Sequence, residues 1–196
     1  MIEPIIWQSA SLLLDYPGPG WPRTLSLVAE SLAGAESPAA GALRRFAERE
    51  RATPPLEREE RYVVTFDRSR RRTLFMTYYT DGDTRNRGAA LAAIKAGYRA
   101  EGWAPDAAEL PDFLPLMLEF AARCPVPGLS LLARHRPGAE LLRLALHDHN
   151  SVYAPVLDAV CATLPEAGAA DRRALRTLAR TGPPVETVGR TEGVPR

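Results

Sequence analysis

The sequence contains few of the side chains from which zinc sites and disulfides are built. Its 196 residues include only two cysteines and three histidines, and nearly all of its positive charge is arginine because Lys95 is the single lysine. Cys124 and Cys161 form no CxxC pair, which argues against a zinc site or a disulfide framework. We predict two buried thiols in a protein of the reducing cytoplasm.

Net charge and the lack of long hydrophobic runs argue against two further classes of protein. The 25 basic and 24 acidic residues leave a formal net charge of +1, whereas nucleic-acid binding requires an excess of positive charge on one face. The sequence has no run of 18 apolar residues, and Glu3 and Pro4 stand where a basic leader would begin. We therefore expect no nucleic-acid partner, no signal peptide, no direct membrane insertion, and a cytoplasmic location.

Apolar residues do recur at helical spacing over most of the chain. Ile6, Ala10 and Leu13 lie on one face of a first helix, which Pro17 and Gly18 end. No run of Val, Ile and Thr alternates as a strand would, so the pattern predicts an all-α fold of roughly eight to ten helices. A chain of this length is sufficient for one domain with a substantial core. We predict a single-domain helical bundle.

The apolar periodicity stops near Gly182, Pro183 and Pro184. Residues 183–196 carry no apolar face that a core could bury, and such segments remain disordered. We therefore place one helical domain over residues 1–182 and a disordered C-terminal tail over residues 183–196. We expect the tail to be dispensable for folding.

The middle of the chain combines aromatic residues with an acidic turn. Tyr62 and Phe66 are four residues apart, so a helix places both rings on one face. A further helix is predicted from about Arg70 to Tyr79. Gly82 then allows a turn with a positive φ.

The turn Asp81-Gly-Asp83 invites a calcium interpretation that its flanks do not support. A calcium loop needs Asp or Asn where Arg85 stands, Gly where Asn86 stands and Glu where Ala92 stands. The residues are better explained as a turn in which Asp83 or Thr84 caps the following helix. We predict no metal site there.

Histidines and nucleophiles are not arranged as a recognisable catalytic site. His147 and His149 are two residues apart, so on a helix they point to nearly opposite sides and share a metal only if the helix has ended. We favour an exposed helix end, where a charged imidazole complements the dipole. The sequence has no GxSxG elbow and no phosphate loop that would nominate a catalytic triad or a nucleotide site. We predict a protein that is not an enzyme and holds no cofactor.

Seven aromatic residues fit two interpretations, because aromatics at helical spacing either form the core, which is the commoner outcome, or line a groove. They are Tyr62, Phe66, Phe75, Tyr78, Tyr79, Phe113 and Phe120. Asp112 also has two interpretations, because it is suited to capping the helix that follows it and equally to serving as a carboxylate of such a groove. The residues by themselves predict a helical domain, with a binding groove as one alternative.

Three segments resemble one family of proteins. They are Tyr62-Val-Val-Thr-Phe66-Asp67, the run from Leu74 to Gly88 that contains Tyr78-Tyr-Thr-Asp-Gly-Asp83, and the run from Glu109 to Phe120 that contains Leu110-Pro-Asp112. Together they are similar to the NarJ family, the molybdenum cofactor assembly chaperones (delta subunits) of respiratory nitrate reductase, within the TorD/DmsD group of redox-enzyme maturation chaperones. Phe113 departs from the Pro-Asp-His-Leu pattern of that wider group.

The resemblance implies an all-α chaperone that is not a catalyst. Its implied partner is the apo catalytic (alpha) subunit of nitrate reductase, including the N-terminal peptide of that subunit. Its implied role is to promote molybdenum cofactor insertion and enzyme assembly. The alternative that the residues alone leave open is an unrelated all-helical enzyme or a regulatory binding module.

The resemblance also suggests where the peptide binds. A peptide that binds as an amphipathic helix needs a groove for its apolar side and carboxylates for its basic residues. The predicted peptide-binding residues are Tyr62, Phe66, Tyr78, Tyr79, Asp81, Asp83, Leu110, Pro111, Asp112, Phe113 and Glu119. For Asp83 and Asp112 the competing interpretation is a helix cap, whose loss lowers stability rather than binding.

Overall fold

The computed structural model describes residues 2–106 and 108–184, and over those residues the chain is all-α. The helices are α1 (Glu3–Leu13), α2 (Trp21–Ser31), α3 (Pro38–Arg51), α4 (Pro55–Tyr62), α5 (Met76–Asp81), α6 (Arg85–Ala100), α7 (Leu114–Arg123), α8 (Pro125–Arg134), α9 (Arg136–Asp148), α10 (Ala154–Ala162) and α11 (Ala169–Thr181). A π-helical turn, Val63–Asp67, continues α4, and a 3-10 turn, Arg70–Arg72, precedes α5. The predicted fold class is confirmed. None of the helices in the described ranges is both long enough and apolar enough to cross a bilayer.

The number and extent of the elements differ modestly from the prediction. The described ranges contain eleven α-helices, against the roughly eight to ten that the apolar pattern indicated. Of the predicted tail, only Pro183 and Pro184 belong to the described residues, and residues 185–196 lie outside them.

Proline marks the start of most of these helices. Eight of the eleven, namely α1 to α4 and α7 to α10, carry a proline in the first or second helical position. Proline is tolerated there because the first amides of a helix have no intrahelical partner to lose. The prolines that interrupt the apolar pattern in the sequence therefore separate consecutive helices without removing helical hydrogen bonds.

Helix α1 lies at the centre of the bundle, where it packs against α2, α3, α7 and α10. Its predicted apolar face is buried in the core. Two hydrogen bonds satisfy polar side chains on the same helix: the Trp7 indole N–H donates to the Thr163 hydroxyl over 2.8 Å, and the Ser11 hydroxyl donates to the Pro115 carbonyl over 2.7 Å. Buried polar groups need such partners, so α1 is held by both kinds of contact.

Tyr62 and Phe66 share one face, as predicted, with ring centroids 4.9 Å apart. The ring of Tyr153 packs against both of them, with its centroid 4.8 Å from that of Phe66 and 6.1 Å from that of Tyr62. The Tyr62 hydroxyl donates to the Leu14 carbonyl over 3.1 Å. Both rings are buried, so for these two aromatics the structure selects the core interpretation.

The predicted helix from Arg70 to Tyr79 is wrong in its first half. After the 3-10 turn the chain is extended at Thr73 (φ −65°, ψ 146°) and at Phe75 (φ −91°, ψ 107°), and α5 begins only at Met76. The reason is tertiary, because this segment pairs with the chain just before α7. That pairing satisfies backbone groups which a helix would satisfy internally.

Both cysteines are free thiols, but their surroundings differ. Cys161 is buried, and burial raises the pKa of its thiol to about 12. The thiol is therefore protonated and a poor nucleophile at neutral pH. The predicted burial is confirmed for Cys161, whereas Cys124 is only partly buried.

Substitution of Gly128 tests how closely α8 packs against α7. A Cβ at residue 128 would overlap the Cα of Ala121 and lie 2.7 Å from its Cβ, whereas a Cβ at Gly97 on α6 meets no described atom within 4 Å. We expect Gly128→Ala to lower the free energy of unfolding by about 1–3 kcal/mol through overpacking. The matched change Gly97→Ala is expected to raise it by about 0.5–1 kcal/mol through helix propensity. Denaturant unfolding measures both values, and shifts of the same sign would contradict the close approach.

Candidate functional site

Asp112 is wholly buried and accepts two hydrogen bonds from Thr77. Its Oδ2 lies 2.5 Å from the Thr77 hydroxyl and 3.2 Å from the Thr77 backbone nitrogen. Thr77 is the second residue of α5, where backbone N–H groups lack helical partners. Asp112 therefore caps α5. The predicted cap of α7 is wrong, because Phe113 occupies that N-cap position and the carboxylate is directed to the other helix.

Arg87 of α6 lies beside the buried carboxylate and offsets its charge. Its Nη2 is 3.5 Å from Asp112 Oδ2, and its Nε donates to the Thr77 hydroxyl over 3.2 Å. Its Nη1 is 3.7 Å from Asp83 Oδ1, while Asp83 Oδ2 is 3.5 Å from Arg70 Nη1. A buried charge without a partner is strongly destabilising. Arg87 thus connects the interior of the protein to the acidic turn at its surface.

The acidic turn between α5 and α6 has the predicted shape but not the predicted cap. Gly82 adopts a φ of +59°. Thr84 occupies the N-cap position of α6, yet its hydroxyl donates to the Asp81 carbonyl over 2.7 Å, and the Asp83 carboxylate faces the two arginines. The prediction that the Asp83 or Thr84 side chain caps α6 is therefore wrong, because tertiary and turn contacts use both groups.

The segments before α5 and α7 meet as an isolated antiparallel bridge between Phe75 and Phe113. The rings of this pair have centroids 5.5 Å apart, and the Leu114 N–H donates to the Leu74 carbonyl over 2.8 Å. The guanidinium carbon of Arg87 is 5.9 Å from the Phe75 centroid, a distance typical of a cation–π contact. The bridge brings two of the three segments that resemble the NarJ family into direct contact.

An open cavity of about 240 Å³ lies beside the bridge, and we call it the Phe75 cavity. Its lining residues are Phe66, Asp67, Ser69, Arg70, Thr73, Phe75, Tyr78, Asp83 and Arg87. Three of these, Phe66, Tyr78 and Asp83, belong to the predicted peptide site. The sequence analysis missed Arg87, although its position four residues after Asp83 is the spacing of an ion pair on one helix face.

Five predicted site residues are buried, namely Tyr62, Phe66, Tyr79, Pro111 and Asp112. The Tyr79 hydroxyl lies 3.0 Å from the Thr73 carbonyl and 3.1 Å from the Arg71 carbonyl, and the Tyr98 hydroxyl donates to the Pro111 carbonyl over 2.7 Å. Burial raises the pKa of both tyrosines, which keeps the hydroxyls protonated as donors. These groups hold the loops that surround the cavity.

Six predicted site residues reach the surface, namely Tyr78, Asp81, Asp83, Leu110, Phe113 and Glu119. Asp83 and Leu110 are exposed, and the other four are partly exposed. Of these six residues, only Tyr78 and Asp83 line the Phe75 cavity, and Glu119 pairs with Arg123 over 2.9 Å on its own helix. The structure therefore gathers only part of the predicted set at one place, and peptide contact by these residues stays a prediction.

His135 is a buried histidine at the N-cap position of α9. Burial lowers the pKa of this imidazole and the charge of Arg134 lowers it further, against the opposing effects of Asp112 and Asp81. The ring is therefore neutral at pH 7. Arg87, rather than His135, supplies the positive charge beside the carboxylate.

A second open groove, of about 470 Å³, lies beside α4, and we call it the Tyr16 groove. Its lining residues are Tyr16, Leu56, Glu59, Glu60, Val63, Val64 and Arg68. Leu56 is 66% exposed and Val64 is 42% exposed, so apolar surface lies next to carboxylates. The sequence analysis missed this groove. The recurrence of Leu56, Val63 and Val64 at intervals of seven and eight residues would have indicated an apolar face there.

Metal ligands are not clustered in the described ranges, where no group of three or more His, Cys, Asp or Glu side chains could hold an ion. His147 lies in the last turn of α9, with its Nε2 2.9 Å from Asp158 Oδ1 and 47% of its side chain exposed. The favoured interpretation of His147 as an exposed helix end is confirmed. Asp158 adds a carboxylate partner that the sequence did not indicate.

Over the residues that the structure describes, this is an all-α protein with two open grooves at its surface. A model of the family described as nitrate reductase delta subunit matches residues 30–159. The chain belongs to this family. The resemblance to the NarJ family that the sequence analysis identified is therefore confirmed.

Individual relatives include two proteins named as assembly chaperones rather than as catalysts. The probable nitrate reductase molybdenum cofactor assembly chaperone NarJ of Bacillus subtilis is 32% identical over 169 residues, which cover 84% of this chain and 90% of that protein. The nitrate reductase molybdenum cofactor assembly chaperone NarJ of Escherichia coli K12 is 33% identical over 165 residues, or 81% of this chain and 67% of that protein.

A third relative is much longer than this chain. The nitrate reductase-like protein NarX of Mycobacterium tuberculosis H37Rv is 44% identical over 160 residues. These residues cover 81% of this chain but only 24% of NarX, so the chain spans about a quarter of the length of that relative.

Asp112 and Asp83 can be compared as a buried and an exposed carboxylate that share Arg87. We expect Asp112→Asn to lower the free energy of unfolding by about 1–3 kcal/mol, because it buries an amide without an acceptor and removes the charge that offsets Arg87. Asp83→Asn is expected to cost no more than about 1 kcal/mol, because its side chain is 58% exposed. Thermal and denaturant unfolding of both variants measure the difference. Equal losses would contradict the structural role of Asp112.

Proposed function

We propose that this protein is a dedicated chaperone of respiratory nitrate reductase, which binds the apo catalytic subunit and promotes insertion of the molybdenum cofactor. The supporting observation is the match to the B. subtilis assembly chaperone, which extends over 84% of this chain and 90% of that protein. A match over nearly the whole relative supports transfer of its named role better than a shared short motif does. The two open grooves are in keeping with the proposal, because a chaperone binds its client at a concave surface rather than at a catalytic site.

Within this proposal the client's N-terminal peptide binds as an amphipathic helix at the Phe75 cavity. Tyr78 lines the cavity and is partly exposed, and Phe113 lies at the edge through its contact with Phe75. An apolar side chain of the peptide enters between these aromatic rings. Apolar burial supplies most of the affinity, at about 25 cal/mol per Å² of surface removed from water.

Asp81 and Asp83 receive the basic residues of the peptide. The two arginine contacts of Asp83 are long, at 3.5 and 3.7 Å, and its side chain is 58% exposed. Such pairs are worth only about 0–1 kcal/mol, so a basic residue of the peptide can replace Arg70 at little cost. The carboxylates therefore orient the peptide and make its binding sensitive to salt.

The buried residues of the predicted set do not touch the peptide but hold the segments that form its binding surface. Asp112 and Tyr79 hold the start of α5 and the preceding extended segment, while Phe66 lines the cavity on the α4 side and packs against Tyr62. Leu110 and Glu119 would contact the peptide only if it extends beyond the cavity. The proposal thus divides the predicted residues into those that touch the peptide and those that support the surface.

Deleting the gene tests the role as a chaperone. We expect the catalytic subunit to be synthesised normally but to contain little molybdenum cofactor, because the apo subunit lacks the partner that promotes insertion. Cofactor content of the purified subunit, measured beside its protein level, provides the result. Cofactor-replete nitrate reductase in the deletion strain would instead favour an unrelated helical enzyme or a regulatory module.

Tyr78→Ala tests the place where the peptide binds. Truncation of an aromatic side chain at the centre of an interface costs on the order of 1–2 kcal/mol, so we expect affinity for the client's N-terminal peptide to fall about fivefold to thirtyfold. The matched control is Leu56→Ser, which removes an exposed apolar side chain from the Tyr16 groove. Calorimetry with both folded variants measures the affinities. A loss with Leu56→Ser and none with Tyr78→Ala would place the peptide in the Tyr16 groove instead.

A further inference from the structure

Four residues of α4 and of the π-helical turn and cap that follow it form an exposed stripe, which we call the α4 stripe. They are Leu56, Glu60, Val64 and Arg68. Because they follow one another at intervals of four residues, they lie on one face. All four are exposed, and all four line the Tyr16 groove. Tyr62, on the other side of α4, is buried in the core, so the stripe is the outer face of a helix whose inner face is already packed.

Apolar surface on the α4 stripe continues across the groove. Leu56 is 66% exposed, Val64 is 42% exposed and Tyr16 is 46% exposed. Glu60 and Arg68 border these side chains. An apolar surface with a charged rim is typical of protein–protein contacts. The stripe therefore has the composition of a contact surface for another protein chain.

The two charged residues of the stripe lack ion-pair partners within the described ranges of the chain. No carboxylate there pairs with Arg68, and no basic side chain there pairs with Glu60. The two residues are eight positions apart, which is about 12 Å along a helix, so they do not pair with each other. Opposite charges thus lie on the two sides of Val64, which is midway between them.

A second copy of this chain in antiparallel orientation supplies both missing partners. When a two-fold axis passes through Val64, Glu60 of each copy lies opposite Arg68 of the other, and the two copies of Val64 meet. The same register places Asp67 opposite Arg61, which is again a pair of opposite charges. A register centred on Glu60 instead places that carboxylate against its own copy, and like charges in contact are unfavourable. Charge therefore selects the register centred on Val64.

We propose that the α4 stripe is a self-association surface, through which two copies of this chain form a two-fold symmetric dimer centred on Val64. The stripe of each copy lies along the Tyr16 groove of the other, as the ridges of one helix pack into the grooves of another. Contact through one helix face buries less than about 800 Å² per partner, the size of a standard stable interface, so the dimer is weak and reversible. Self-association covers the Tyr16 groove, whereas the role proposed for the Phe75 cavity is to bind the client's peptide.

Charge reversal on the stripe tests the dimer by analytical ultracentrifugation of the full chain. Glu60→Arg and Arg68→Glu each bring like charges together at both symmetric contacts, so we expect each to weaken dimerisation by at least about tenfold. The double variant reverses both contacts and is expected to dimerise within about threefold of the unchanged chain. Both positions are exposed, and circular dichroism checks that the variants stay folded. An unchanged chain that stays monomeric up to about 1 mM, or a double variant that dimerises no better than the single ones, would overturn the proposal.

A mixture of the two single variants provides a second test. Glu60→Arg leaves only positive charge at these two positions and Arg68→Glu only negative charge, so we expect two chains that are monomeric separately to form a mixed dimer. The matched control is Lys95→Glu, which makes the same change of charge at an exposed position of α6 and is expected to form no such dimer with Glu60→Arg. Mixed dimers that are equally strong with the control would show attraction by net charge alone and contradict the register. A chain that stays monomeric but loses affinity for the client's peptide through Leu56→Ser would assign the stripe to the client instead.

Discussion

The buried carboxylate of Asp112 is the interaction on which the rest of the site depends. Its side chain caps α5 through Thr77 and lies next to Arg87 of α6, while its backbone carbonyl accepts from the Met76 N–H over 2.9 Å. A charge without exposed surface is stable only while its partners stay in place. The loop before α7, the start of α5 and the first turns of α6 are therefore held in one arrangement. Asp112 thus positions the surface residues of the site although it is itself buried.

This arrangement explains why separate segments of the sequence carry one family resemblance. The segment with Tyr-Tyr-Thr-Asp-Gly-Asp and the segment with Leu-Pro-Asp form a single structural unit, joined by the pairing of Phe75 with Phe113. The unit places aromatic rings, the acidic turn and Arg87 around one cavity. Gly82 lies at its outer edge, where the C-terminal segment approaches. The resemblance thus follows a contact in space more closely than a contiguous stretch of chain.

The two grooves differ in the charge that borders them, and this difference bears on client recognition. Arg70 and Arg87 face Asp83 at the Phe75 cavity, so charges of both signs line it. The Tyr16 groove combines exposed apolar side chains with two carboxylates, Glu59 and Glu60, and one arginine, Arg68. Surface charges influence the orientation of a peptide and its association rate more than its affinity. The affinity of either groove for a peptide therefore depends mainly on apolar contact.

The sequence by itself determined the all-α class, the first helix and the family, because apolar periodicity and motif residues are local features of a chain. It also predicted the shared face of Tyr62 and Phe66. Only the tertiary structure decided that these rings are buried, that Thr73 to Phe75 are extended, and that Asp112 caps α5. Each of these outcomes depends on a partner distant in sequence, such as Thr77, 35 positions before Asp112. Local spacing contains no information about that partner, since the choice between a cap, a core residue and a surface contact is made by what the folded chain brings beside it.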